Sequence, residues 1–118
     1  MLTGPLSDPE LAALLKAATT VVIPSLYEGF CLPLLESMAC GTPTICSSAS
    51  CLPEISGGVL RYFDPLSLDD MATRIDEVFE SAALRDELSV RGKERASSFS
   101  WRRCAEETLA VLKSAARN

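Results

Sequence analysis

Three short runs rich in β-branched and apolar residues, 19–24, 42–47 and 59–63, alternate with helix signals through the first half of the chain. A strand, a helix and a second strand return the chain in the same direction. Repeating that unit predicts a parallel sheet wound with helices. The boundaries are well marked. Ser7-Asp8-Pro9-Glu10 opens a helix, with Ser7 or Asp8 as cap and Glu10 placed for a capping box. Leu11, Leu14, Leu15 and Ala18 then recur at helical spacing. Pro33 suits the first turn of a second helix, which runs to Cys40 and stops at Gly41. Residues 48–58 read as a polar loop holding one helical turn at Pro53-Glu54-Ile55, and Asp64-Pro65 closes the third strand.

The second half is helical. Ser67 caps a helix with Asp69 and Asp70 in its first turn, where acids complement the dipole. Its apolar stripe is Leu68, Met71, Ile75, Val78 and Phe79. A further helix spans 83–96, with Leu84 and Leu88 facing inward. Ser100 caps a last one, whose Trp101, Cys104, Ala105, Thr108 and Leu112 share a face. The predicted order is α-β-α-β-α-β followed by three helices.

At 118 residues the chain is at most one domain. An apolar content of 47% against 23% charge is that of a folded domain. A net charge of −5 argues against nucleic acid as partner, because phosphate backbones need a basic footprint. No apolar run approaches the ~18 residues of a membrane span, and the start lacks a signal-peptide progression, so a cytoplasmic location is expected. The five cysteines are odd in number and lack zinc-site spacing, and there is no histidine. Histidine-based hydrolase triads and the usual histidine metal sites are thereby excluded. Most of the cysteines are expected to be buried, reduced thiols; Cys31 is set apart because its loop faces the candidate site.

That site is the segment Glu28-Gly-Phe-Cys-Leu-Pro-Leu-Leu-Glu36, where the first strand gives way to the second helix. A carboxylate at a strand end and another one turn into the next helix can both face a ligand outside the sheet, where open α/β folds bind nucleotides and sugars. Carboxylates accept hydrogen bonds from sugar hydroxyls, so the pair points to a hydroxyl-rich ligand and not to a metal. Free N–H groups at the helix start attract phosphate. A structural turn would equally account for Gly29, and a solvated outer face for Glu36.

The run from Pro24 to Pro43, with Ser50-Cys51-Leu52-Pro53-Glu54, Tyr62-Phe63-Asp64-Pro65 and Phe99-Ser100-Trp101, resembles the signature of retaining glycosyltransferases of the group 1 (family 4) type. The likeness covers nearly the whole chain. It implies the later part of the C-terminal, nucleotide-sugar-binding domain of the two-domain GT-B fold: a partial Rossmann-like parallel sheet of about three strands with a helical C-terminal tail. By that resemblance Glu28 is the catalytic carboxylate against the transferred sugar, and Glu36 holds the ribose. The amides of Gly29, Phe30, Cys31 and Leu32 approach sugar and diphosphate. The substrate is then a nucleotide-diphosphate sugar. No metal or other cofactor is implied; basic side chains and the helix dipole take the leaving charge.

Two departures follow. The family usually has glycine where this chain has Cys31, so the thiol is expected to narrow the pocket or change the preferred sugar. The family's pyrophosphate-binding Arg and Lys lie upstream, as does the acceptor domain, and Leu2-Thr3-Gly4 reads as the end of a strand. Residues 1–118 are thus expected to be a partial donor-binding domain, inactive alone, that pairs with its missing N-terminal portion or self-associates through an exposed sheet edge. The alternative is a non-enzymatic folded remnant or self-associating α/β module. A dinucleotide-binding or receiver-like module is poorly supported, since no G-x-G-x-x-G follows a strand.

Overall fold

The computed structural model describes residues 2–116. Nine elements follow one another: α1 (Asp8–Ala17), β1 (Val21–Ile23), α2 (Leu32–Cys40), β2 (Thr44–Ser47), α3 (Leu52–Ser56), β3 (Arg61–Phe63), α4 (Leu68–Glu80), α5 (Ala82–Ser97) and α6 (Trp101–Ala115). The strands form one parallel sheet in the order β1-β2-β3, with Val21 beside Thr44 and Ile45 beside Arg61. The alternation foreseen from the sequence is therefore the fold.

The strands are shorter than the apolar runs that encode them. Pro24 and Pro43 bound β1 and β2, and a proline has no N–H to give a ladder. The Pro43 carbonyl instead accepts from the Val21 N–H at 2.8 Å and from the Thr20 hydroxyl at 3.0 Å. Residues 2–4 belong to no strand. All four residues of β2 are buried, so the central strand is covered on both faces.

Helix boundaries follow the capping chemistry. At α1 the Glu10 carboxylate accepts from both the Ser7 N–H at 2.9 Å and the Ser7 hydroxyl at 2.6 Å, and the Ser67, Ser81 and Ser100 hydroxyls accept from the third residue of α4, α5 and α6. Gly41 ends α2 at φ 75°. A side chain there would also collide with the Lys93 side chain. Gly92 of α5 sits over Met38 of α2, with a Cβ position 3.5 Å from its Cγ, and lets the two helices approach closely. The core gathers Ile23, Leu34, Met38, Ile45, Leu52, Phe63, Val78 and Leu88 from strands and helices alike.

Of two expected apolar stripes, one is partly buried and the other is uncovered. In α4, Met71, Ile75 and Val78 join the core, but Leu68 and Phe79 face solvent. In α6 every residue is exposed, and the face containing Trp101 and Leu112 is uncovered. α1 likewise buries none of its residues fully. The cysteines also differ from expectation. All five are free, yet only Cys31 and Cys46 are buried, Cys40 and Cys51 are half-buried, and Cys104 is exposed.

Candidate functional site

The loop between β1 and α2 carries the first carboxylate beyond the C-terminal end of the sheet. Glu28 is half-buried there. Ser25 Oγ donates to its Oε1 at 2.7 Å, and Ser47, at the end of β2, donates to the Ser25 carbonyl at 2.5 Å. Across the site, Ser50 Oγ donates to the Glu28 carbonyl at 2.8 Å and accepts from the Glu28 N–H at 3.3 Å. The Cys51 thiol donates to the same carbonyl at 3.3 Å. None of these four partners was singled out as a site residue from the sequence. Ser25 had a signal in the Pro24-Ser25 approach to Glu28, and Ser50 and Cys51 in the run Ser50-Cys51-Leu52-Pro53-Glu54; Ser47 had none.

Beyond Glu28 the backbone N–H groups of Gly29, Phe30, Cys31 and Leu32 find no acceptor among the described residues. They lead into the N-terminus of α2, whose dipole adds positive potential. Gly29 does not have positive φ, and a Cβ there would meet nothing within 4 Å. The chain's own turn thus gives no reason for a glycine.

Cys31 caps α2 in the left-handed region, φ 70°, and only 6% of it is exposed. Its thiol belongs to the hydrophobic core and not to the groove wall. The expectation that it narrows the pocket is therefore corrected. Glycine is suited to this position because of its backbone angle, not because a side chain would fill the ligand space. Burial, reinforced by the nearby charges of Glu28, Cys51 and Glu36, pushes the Cys31 thiol up.

Glu36 is exposed on the second turn of α2. It lines a groove of about 570 Å³ with Phe30, Leu32, Leu35, Phe99 and Trp101, among others. Glu28 lies outside that lining, so the two carboxylates occupy different parts of one region. Phe30 and Phe99 meet edge to face, ring centres 6.0 Å apart, and Arg95 stacks on Phe99 at 4.7 Å. Arg95 is committed further, donating to the carbonyls of Ile55 at 2.9 Å and Glu54 at 3.0 Å. No cluster of three or more metal-ligating side chains occurs among the described residues. No described helix is long and apolar enough to cross a membrane.

A parallel α/β sheet with unpartnered amides and carboxylates beyond its strand ends has the layout in which open α/β folds place their ligand sites. The family model described as "Glycosyl transferases group 1" matches residues 1–95, and the chain belongs to that family. It is similar to the O-antigen chain mannosyltransferase B of Escherichia coli, 38% identical over 110 residues, covering 93% of this chain and 29% of that protein. It is also similar to the MMP alpha-(1->4)-mannosyltransferase of Mycolicibacterium hassiacum, 42% identical over 114 residues, covering 93% of this chain and 28% of that protein. Among solved structures, sucrose-phosphate synthase from Thermosynechococcus elongatus superposes with a TM-score of 0.87 at 28% identity, over 97% of this chain and 29% of that one. The fold is that of the GT-B glycosyltransferases, and the chain spans less than a third of the length of these relatives.

Proposed function

We propose that residues 1–118 are the later part of the nucleotide-sugar-binding domain of a retaining hexosyltransferase. The observation that carries this reading is the run of four unpartnered amides, 29–32, between Glu28 and Glu36 at the start of α2. In the reaction the bond between the anomeric carbon of the hexose and the diphosphate oxygen breaks, and the nucleoside diphosphate leaves with that oxygen and its electron pair. An acceptor hydroxyl bonds to the anomeric carbon with configuration kept, its proton passing to the departing diphosphate. Glu28 lies against the sugar, Glu36 accepts from the ribose hydroxyls, and the amides with the helix dipole receive the diphosphate. No cofactor enters this reading. Two of the relatives are named as mannosyltransferases, which makes mannose the first hexose to test.

The cationic side chains for the leaving diphosphate and the acceptor site belong, in this reading, to the other two thirds of a longer GT-B assembly. Orienting the attacking hydroxyl can account for ~7–11 kcal/mol of barrier lowering. These 118 residues alone should then bind donor weakly and transfer no detectable sugar. Calorimetric titration with GDP-mannose, UDP-glucose and ADP-glucose tests the reading. Glu36→Ala should lose a charge-assisted hydrogen bond worth about 1.5–3 kcal/mol. Equal binding by wild type and variant would remove Glu36 from the ribose site. The exposed edge of β1 and the uncovered face of α6 favour a second reading, a self-associating module without turnover. Absence of any nucleotide-sugar binding, together with a stable assembly, would select it.

A further inference from the structure

Glu28 belongs to a loop without regular secondary structure, yet it is held from two directions. From its own loop, Ser25 binds one carboxylate oxygen, Oε1, and no hydrogen bond reaches Oε2 among the described residues. From the loop after β2, Ser50 uses a single hydroxyl both to accept from the Glu28 N–H and to donate to its carbonyl. Serine can do both at once; alanine and glycine can do neither. Ser50 has φ 56°, and it and Cys31 are the only non-glycine residues with positive φ among those described. One is bonded to Glu28 and the other follows it by three positions. Strained backbone concentrated around one carboxylate marks a place where geometry is specified at a cost to stability.

We propose that Ser25 and Ser50 are positioning residues for Glu28. Ser50 fixes its main chain, and Ser25 fixes the rotation of its carboxylate so that Oε2 is presented to the transferred sugar. Ser47 anchors Ser25 to the end of β2, which couples the arrangement to the rigid sheet. The inference rests on the donor-site reading above, and it assigns the discrimination between a sugar nucleotide and the bare nucleotide to these hydroxyls.

Calorimetric titration of this chain with the pairs GDP-mannose and GDP, and UDP-glucose and UDP, tests it on wild type, Ser25→Ala, Ser25→Thr and Ser50→Gly. Glycine accepts φ 56° without strain, so Ser50→Gly removes the hydroxyl and keeps the fold. Ser25→Ala and Ser50→Gly should each lower the ratio of sugar-nucleotide to nucleotide affinity by about three- to tenfold, with nucleotide affinity within twofold of wild type. Ser25→Thr should restore the ratio. Amide exchange at Glu28 should quicken in Ser50→Gly. A wild type that discriminates, with both variants discriminating equally well, overturns the inference and leaves the donor-site reading standing. A wild type that binds none of the four probes overturns that reading, and the inference falls with it.

Discussion

At Cys31 a left-handed backbone and a buried thiol pull in opposite directions. A non-glycine residue at φ 70° is disfavoured by roughly 1–2 kcal/mol, while burial of the small side chain returns a comparable amount. Cys31→Ala keeps the strain and loses packing, whereas Cys31→Gly loses packing and relieves the strain. Urea unfolding should rank Cys31→Gly above Cys31→Ala by about 1 kcal/mol. An alanine variant equal to or better than glycine would mean that this φ carries no strain. Gly29 gives the complementary case. Gly29→Ala adds a methyl into open space and should leave stability unchanged or raised by about 0.4–1 kcal/mol, while weakening nucleotide-sugar binding. Undiminished binding would return Gly29 to an ordinary loop residue.

Cys46 supplies a pH dependence. Burial pushes its thiol from an ordinary 9.0 up to about 12. The folded state thus keeps a proton that the unfolded chain releases first. Its contribution is fully present below pH 9 and is lost as pH rises toward 12, at a slope approaching about 1.4 kcal/mol per pH unit. Cys46→Ala should flatten the alkaline fall in unfolding free energy over that window. A parallel fall in both proteins would contradict the burial of this thiol.

Among the elements, α3 shows why some stabilising contacts leave no mark in sequence. The helix has five residues, and its Glu54 and Ile55 carbonyls accept from Arg95, some forty positions away in α5. Arg95→Ala leaves two carbonyls short of a charged partner and removes the stacking on Phe99. It should cost about 2 kcal/mol in chemical denaturation. A change below about 0.5 kcal/mol would show that water replaces the guanidinium. The order of the elements, by contrast, was legible throughout. Prolines, serine caps and Gly41 are local signals that act within one turn of where they stand. The Glu28 and Glu36 placements were legible too, because the strand-to-helix transition lies between them. The positive φ of Cys31 and Ser50 was not, since neither residue type announces it. Nor was the solvent exposure of Leu68 and Phe79. Helical spacing shows which side chains share a face but not whether anything covers it.

The whole molecule measures 56 × 31 × 29 Å, and its elongation accompanies a last helix that buries none of its residues. The β1 edge is unpaired in the sheet, and Leu14, Trp101 and Leu112 are exposed around these elements. Uncovered strand edges and apolar helix faces favour association. Light scattering at tens of micromolar should find a dimer or larger species, and a strict monomer would count against that expectation. The central claim concerns the ligand. Amide chemical shifts of the 118-residue chain, followed during titration with GDP-mannose and UDP-glucose, test it most directly. The account predicts that Gly29, Phe30, Cys31, Leu32 and Glu36 move first and furthest with at least one of the two. Shifts confined to the distant cleft of Arg61, Arg74 and Glu87, or no shifts with either, would contradict it.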